Sequence, residues 1–175
     1  MEFKTKVVEI APYDPNWKTE FEKLHAQLMP LVEDLALHIE HVGSTSVEGL
    51  AAKPIIDIDV VIESMAVFPA VKDRLERAGY THMGTMGVEG REVFHYGQHE
   101  GFMRYHLYVC PQDGKGYLEH VALRDYLREH PDAREAYARL KQDLAEKYRS
   151  DVDAYCDHKT DFIQDILNKA LYSGG

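Results

Sequence analysis

Two aspartates that stand two residues apart in an apolar segment are the residues best suited to do chemistry. Asp57 and Asp59 interrupt the segment 55–62, whose β-branched residues are typical of a strand buried on both faces. Because side chains alternate across a strand, both carboxylates lie on one face, about 6.6 Å apart along the chain. Oxygen ligands favour Mg²⁺ (or Mn²⁺) over zinc, so the pair predicts a magnesium site. The alternative is a strand at a sheet edge with two solvated aspartates.

A glycine-containing turn precedes this strand and could bind phosphate beside the metal. Gly43 has no Cβ, which lets the backbone and a ligand approach closely. Ser44 and Thr45 offer hydroxyl groups and backbone N–H groups to an anion. The turn would then hold a phosphate opposite a metal on the two aspartates. The alternative is an ordinary turn in which the hydroxyls only cap the local backbone.

Two lysines and a tyrosine could add to an anion site. Lys53 comes shortly before the aspartate strand, where its charge could neutralise phosphate, although a surface lysine is the alternative. Lys159 follows Tyr155 by four residues on the inward stripe of the last expected helix, and an inward ammonium needs a carboxylate or an anionic ligand. The alternative is a lysine that only extends its charge to solvent. Tyr155 could stack on a nucleotide base or pack in the core.

The turn and the aspartates together resemble the signature of a known superfamily. Gly-Ser after a hydrophobic residue, separated by twelve residues from Asp-hydrophobic-Asp, is similar to the pattern of nucleotidyltransferases with the DNA polymerase β-like fold. The wider sequence resembles the GrpB family over nearly the whole chain, in HVGSTSVEGLAAKPIIDIDV, PYDPNW, LRDYLREHP and residues 155–162. The resemblance implies an α+β fold, with a nucleotidyltransferase-like mixed β-sheet flanked by helices and a C-terminal helical segment. Domains of this family also occur fused to dephospho-coenzyme A kinase in some bacteria.

Nucleotidyltransferases usually add a third acidic residue from a later strand. The resemblance places that strand at 102–109, which contains no acid, and this argues against two-metal chemistry. One face of the strand carries Arg104, His106 and Tyr108, and Tyr108 stands where the family pattern suggests a histidine. His106 could serve as a base, a metal ligand or a phosphate donor, or be a satisfied histidine in a sheet. Arg91 and Arg104 could grip phosphate with their planar guanidinium groups.

Hydrophobic periodicity predicts the elements that position these residues. Asp14-Pro15 begins a helix that Pro30 should kink or end. Alternation predicts a strand at 37–42, and the chain from 117 onward has the spacing of three helices. A mixed sheet followed by a helical segment leaves a cleft between the two layers as the natural ligand site, with both aspartates facing it.

Composition and charge bound the class of protein. With 175 residues the chain is expected to form one domain, 1–175, with a sheet core at about 37–110 and a helical part at about 117–171. The net charge of −10 argues against a general nucleic-acid-binding surface, which needs clustered Lys and Arg. Without a signal pattern or an apolar run long enough for a membrane span, a cytoplasmic location is expected. Cys110 and Cys156 are expected to be free thiols.

Two functions of different classes fit this sequence. The first is Mg²⁺-dependent nucleotidyl transfer from a nucleoside triphosphate to an unknown small-molecule acceptor, with the metal on Asp57 and Asp59 and with His106 activating the acceptor. The second is a non-catalytic nucleotide-binding or interaction domain, which the missing third acid and the kinase fusions favour. Neither function involves a membrane or general nucleic-acid binding, and the sequence leaves the oligomeric state open.

Overall fold

A mixed β-sheet carries the two aspartates on a central strand. The strands are β1 (Ala36–Val42), β2 (Ile56–Ile62), β3 (Thr81–His82), β4 (Glu92–His95) and β5 (Tyr105–Pro111). In this computed structural model, which describes residues 7–97 and 99–172, they form one five-stranded sheet with the order β1-β2-β5-β4-β3. β2 is antiparallel to β1 and parallel to β5. The aspartate strand therefore has a partner on each side, and the alternative of an edge strand is wrong.

Helices cover both faces of the sheet. In the described part of the chain they are α1 (Asn16–Val32), α2 (Phe68–Arg77), α3 (Lys115–Glu129), α4 (Pro131–Lys147) and α5 (Val152–Leu167). A 3₁₀ turn spans Ser44–Ser46, and a π-helical turn spans Asn168–Tyr172. The elements follow one another as a mixed sheet with two early helices and then a helical segment, so the predicted α+β class is confirmed. Within the described ranges, no helix has the length and apolar character needed to cross a membrane.

The alternation of β2 separates the main core from the candidate site. Ile56, Ile58, Val60 and Ile62 are fully buried in one cluster with α1 and α2, through residues such as Leu24 and Leu75. Asp57 and Asp59 take the opposite face, which contacts α3 through the hydrogen bond of Asp59 to His120. Strand geometry alone thus places apolar side chains on one face and the two carboxylates on the other.

The helical segment is anchored next to the Gly-Ser turn. A second cluster joins Leu127, Tyr137 and Ile166, one residue from each of α3, α4 and α5, to Val47 and Leu50 just after the turn. Burial of these apolar side chains fixes the three C-terminal helices against the segment that leads into β2. The cleft between the sheet and the helices is therefore held at the turn end of β2.

Two local predictions differ from the structure. Pro30 does not end α1, because the helix continues to Val32, and the burial of Leu28 and Val32 offsets the hydrogen bond that a proline cannot donate. The strand expected at 102–109 begins later, at Tyr105, and extends to Pro111, where it pairs with Ile62 at the end of β2.

Candidate functional site

Each aspartate of β2 is hydrogen bonded to a histidine from another element. The parallel register of β2 and β5 places Asp57 beside His106, and His106 Nδ1 lies 2.9 Å from Asp57 Oδ1. Asp59 lies beside Tyr108 in the same register, but its partner is His120 of α3, whose Nδ1 lies 2.8 Å from Asp59 Oδ2. The candidate site thus contains two Asp–His pairs on one face of the sheet.

The two pairs differ in their access to solvent. The Asp57 side chain is 26% exposed and lines a cavity, whereas the Asp59 side chain is 0% exposed and its Oδ1 has no hydrogen-bond partner within residues 7–97 and 99–172. Burial acts to raise the pKa of Asp57, but the hydrogen bond and charge of His106 outweigh it and leave that pKa lowered. Burial raises the pKa of Asp59 although His120 opposes it. The expectation that both carboxylates face the cleft holds for Asp57 and is wrong for Asp59, because α3 covers the latter.

Gly43 makes room for a carboxylate. Its φ is +75°, a left-handed conformation that favours glycine, and a Cβ on Gly43 would lie 2.2 Å from Asp57 Oδ2. The space beside Gly43, which the sequence analysis assigned to a ligand, is therefore occupied by Asp57. Of the other turn residues, Ser44 and Thr45 both line the cavity, and the buried Thr45 hydroxyl donates to Ile55 O at 3.1 Å. The turn therefore positions Asp57 and presents Ser44 and Thr45 to the cavity.

The cavity beside Asp57 has a strongly basic lining. It has a volume of about 500 Å³ and lies between the sheet, the Gly-Ser turn and helices α4 and α5. Four cationic side chains reach it: Lys53, Arg91, Lys141 and Lys159. Asp57 is the acidic residue among its lining residues. This concentration of positive charge occurs in a chain of net charge −10, so the cavity differs in sign from the protein as a whole.

Two of these lysines lie over one buried aromatic ring. The Nζ atoms of Lys53 and Lys159 are 5.2 and 5.0 Å from the centre of the Tyr155 ring, and Tyr155 is fully buried. Burial, followed by the charge of Lys159, lowers the pKa of Lys53, and burial also lowers the pKa of Lys159. The structure therefore brings together the two lysines and the tyrosine that the sequence singled out.

Lys141 is a site residue that the sequence reasoning missed. It is 2% exposed, its Nζ lies 4.6 Å from the centre of the Tyr137 ring, and that Nζ has no hydrogen-bond partner in the described part of the chain. Burial and the charges of Lys159 and Lys53 hold its pKa well below the ordinary value. The available signal was its position four residues after Tyr137 and three before Leu144, on the buried stripe of α4.

Of the two arginines that were predicted to grip phosphate, Arg91 lines the cavity and Arg104 does not. Arg104 precedes β5, is exposed and does not line the cavity. Arg91 does line it, with its guanidinium carbon 4.7 Å from the centre of the Tyr108 ring and its Nε buried without a hydrogen-bond partner among the described residues. His120, the partner of Asp59, had no distinguishing spacing in the sequence.

The donor set at the two aspartates fits a hard cation that is shared with a ligand. Among the described residues no group of three or more His, Cys, Asp or Glu could hold a metal alone. Mg²⁺ is commonly bound by one or two carboxylates, with water and substrate phosphates completing its coordination. The partnerless Oδ1 of Asp59 is an atom that such a cation would satisfy. Asp57 and Asp59 would hold the ion, and phosphate oxygens in the basic cavity would complete it.

The sheet order and the Gly-Ser turn before an Asp-x-Asp strand define an α+β fold of the nucleotidyltransferase type. A solved structure of the Cid1 poly(U) polymerase with bound MgGTP has this fold, with a TM-score of 0.54 and 12% identity over 78% of this chain and 44% of that chain. That likeness is one of fold alone. The chain belongs to the GrpB family, because the family model for GrpB protein matches residues 7–169.

Relatives of similar length support this assignment. The glutamate-rich protein GrpB of Alkalihalophilus pseudofirmus is 36% identical over 165 residues, which cover 93% of this chain and 95% of that protein. The crystal structure of conserved protein GrpB from Enterococcus faecalis has a TM-score of 0.81 and 34% identity, covering 94% of this chain and 98% of that chain. A dephospho-CoA kinase of Mycolicibacterium paratuberculosis is 25% identical over 186 residues, and this chain spans only 46% of its length.

Proposed function

We propose that the protein binds a nucleoside triphosphate together with Mg²⁺ and transfers its nucleotidyl group to a small acceptor. The observation that carries this proposal is the convergence of Lys53, Arg91, Lys141 and Lys159 on a cavity that also exposes Asp57. Buried cations need anionic partners, and a polyphosphate supplies several negative charges in one ligand. The Cid1 polymerase, which shares the fold, holds MgGTP in its structure.

In this proposal the residues of the chain bind and neutralise the triphosphate. The three lysines and Arg91 surround its phosphates, and the Ser44 hydroxyl offers a further hydrogen bond from the turn. Asp57 and Asp59 hold the cation, with Gly43 leaving the space that Asp57 occupies. When bound, Mg²⁺ would neutralise charge on the phosphate oxygens as the bond to the leaving pyrophosphate breaks.

In this proposal His106 takes the proton of the acceptor. An ionised Asp57 accepts a hydrogen bond from His106 Nδ1–H, which fixes the neutral tautomer with Nε2 as the proton acceptor. His106 lines the same cavity as the cations. A hydroxyl or amine that reached this nitrogen would lose its proton there while its oxygen or nitrogen attacked the α-phosphorus.

A second candidate function, binding of a nucleotide without catalysis, is favoured by the closed state of Asp59. That carboxylate is 0% exposed and hydrogen bonded to His120. The positions of β5 beside the two aspartates are His106 and Tyr108, so no third carboxylate comes from that strand. The similarity to a dephospho-CoA kinase is consistent with a domain that works attached to a partner enzyme.

Titration calorimetry and a pyrophosphate assay test the two functions. We expect ATP to bind more tightly with Mg²⁺ than without it, and more tightly than AMP, because AMP leaves most of the cationic side chains unpartnered. Lys159→Gln should weaken ATP binding, whereas Lys169→Gln, a matched change at a lysine that is 56% exposed, should not. Absence of triphosphate binding would remove both functions. Binding without pyrophosphate release across a panel of hydroxyl and amine acceptors would select the second.

A further inference from the structure

Cys156 lies in the wall of the basic cavity and has no role in the function proposed above. It belongs to α5, directly after Tyr155, is partly exposed and lines the cavity with the lysines. The other free cysteine, Cys110, is fully buried in β5, where burial raises the pKa of its thiol. A molecule that enters the cavity therefore meets Cys156 and not Cys110.

The charges around this thiol point to an anionic ligand. The Nζ of Lys141, on a side chain that is 2% exposed, lines the same cavity and has no hydrogen-bond partner within the described ranges. Burial favours the neutral form of such an amine, and an anion from outside the chain would favour its charged form. Lys53 and Lys159 add two charges, and both interact electrostatically with Cys156. An anion drawn to these amines would lie in the same cavity that Cys156 lines.

We propose that Cys156 is a modification site, at which an anionic low-molecular-weight disulfide forms a mixed disulfide with the protein. The Cys156 thiolate attacks one sulfur of the disulfide, and a new S–S bond forms as the original S–S bond breaks. The other half leaves as a thiolate and takes up a proton equivalent to the one that Cys156 lost. A reduced small thiol reverses the reaction by the same exchange, so no other oxidant or reductant is needed.

Two charge effects of opposite sign act on the incoming disulfide. The net charge of −10 repels an anion and attracts a cation at long range. The cationic lining of the cavity has the opposite preference at short range. Charges farther away than about 10 Å are largely screened at 0.1 M salt, so the lysines near Cys156 should decide the outcome. The chain should therefore prefer an anionic disulfide despite its overall charge.

The mixed disulfide has a consequence for the cavity. A tripeptide-sized anionic adduct on Cys156 would fill a large part of the roughly 500 Å³ between the sheet and α5. Its carboxylates would partner the amines that we assign to phosphate. The adduct should therefore exclude a triphosphate, a consequence that rests on the proposed function, whereas formation of the adduct does not.

Intact-mass measurements with two disulfides of opposite charge test the site. Glutathione disulfide, which is anionic, and cystamine, which is cationic, are each incubated with the full chain, and each rate is divided by the rate for the same disulfide with a free small thiol. We expect the normalised rate to be higher for glutathione disulfide, the adduct to map to Cys156, and the preference to shrink at high salt. Cys156→Ser should abolish the adduct, and Cys110→Ser should leave it in place. A normalised rate that is equal or higher for cystamine, or an adduct on Cys110, would overturn the proposal.

Addition of ATP separates this proposal from the proposed function. If both hold, Mg²⁺ and ATP slow the modification, and the modified protein no longer binds ATP in a calorimetric titration. Charge-selective modification that ATP does not slow supports the modification site and counts against the triphosphate site. Modification without charge preference, together with intact ATP binding, supports the triphosphate site and counts against the modification site.

Discussion

Asp57 and Asp59 have the same residue type, the same face of β2 and the same kind of partner, yet they differ in state. Asp57 is paired with His106, is 26% exposed and has a lowered pKa. Asp59 is paired with His120, is 0% exposed and has a raised pKa. The difference comes from what covers them, because Asp57 borders the basic cavity, while α3 lies over Asp59. An Asp-x-Asp pattern therefore specifies a shared face but not shared access.

The difference in exposure also separates the two functions proposed for the site. Asp57 borders the cavity, so a cation and a phosphate can reach it without rearrangement. Asp59 can be reached only after the side chains that cover it have moved. A catalytic role requires both aspartates to bind one ion, whereas a binding role requires only Asp57.

Asp57→Asn should have the largest effect. The substitution removes the exposed carboxylate, and the Mg²⁺-dependent part of ATP affinity should fall more than about 100-fold, because even the partners behind a metal ligand are worth about 10- to 100-fold. Calorimetric titration of ATP with and without Mg²⁺ measures the change. Asp73→Asn, at an aspartate that is 56% exposed on α2, is the matched control and should change nothing. Equal affinities for the Asp57 variant and the wild type would remove Asp57 from the site.

Asp59→Asn tests whether the buried carboxylate takes part in binding the cation. If the carboxylate joins the cation when the ligand binds, the Mg²⁺-dependent affinity should fall by about 10- to 100-fold, less than for Asp57, since part of the gain is spent on opening. The same titration measures it, and circular dichroism checks that the fold is kept. An unchanged Mg²⁺ dependence would show that Asp59 stays closed, and the non-catalytic function would then be preferred.

Gly43→Ala tests whether the turn holds Asp57 in place. The variant combines a φ of +75° with a Cβ 2.2 Å from Asp57 Oδ2, so we expect a loss of stability of about 1 to 3 kcal/mol together with weaker Mg²⁺–ATP binding. Gly49→Ala is the matched control, because its φ of +85° also lies in the region that favours glycine, while the nearest atom, Arg134 Nε, is 3.6 Å away. The control should lose stability and keep its affinity. Equal loss of affinity in both variants would contradict the role of Gly43.

Lys141→Met tests the part of the cavity lining that α4 contributes. The change removes a buried amino group that has no hydrogen-bond partner among the described residues and keeps a similar side-chain volume, so the unliganded protein should gain about 1 to 3 kcal/mol of stability. ATP binding should weaken in the same variant. Thermal unfolding with and without ATP measures both effects. A variant that is less stable and binds ATP normally would make Lys141 a structural residue.

A smaller effect is expected from pH. Lys53, Lys141 and Lys159 have pKa values below the ordinary 10.5, so they lose protons more readily in the folded protein than when unfolded. A bound triphosphate favours their charged forms, so binding should take up protons and the affinity should fall as the pH rises toward 10.5. Calorimetry in buffers of different ionisation enthalpy counts those protons. The Lys141→Met variant should take up fewer, and proton release on binding would contradict the assignment.

Much of this arrangement could be predicted from local sequence pattern. The β-branched segment around Asp57 predicted a buried strand, and helical spacing placed Lys159 and Tyr155 on an inward face. Each of these inferences depends on periodicity within one element. The Gly-Ser turn was also predicted, although the space at Gly43 is used by Asp57 rather than by a ligand.

The remaining features depend on contacts between elements that are distant in the sequence. Asp59 and His120 are 61 residues apart, and nothing in the local pattern of either indicates that α3 covers β2 at that point. Lys141 was missed because a lysine between buried residues of a helix is usually assumed to reach solvent. Arg104 was expected to share a strand face with His106 and Tyr108, but the strand begins at Tyr105, three residues after the expected start at 102.

Both proposed functions require the basic cavity beside Asp57 to hold a polyphosphate with its cation. A crystal structure of the protein with Mg²⁺ and a non-hydrolysable ATP analogue would show whether it does. We expect phosphates in contact with Lys53, Lys141 and Lys159 and a metal ion on Asp57, with Asp59 as its second carboxylate in the catalytic case. A nucleotide bound elsewhere, or a cavity that stays free of phosphate at saturating analogue, would contradict it.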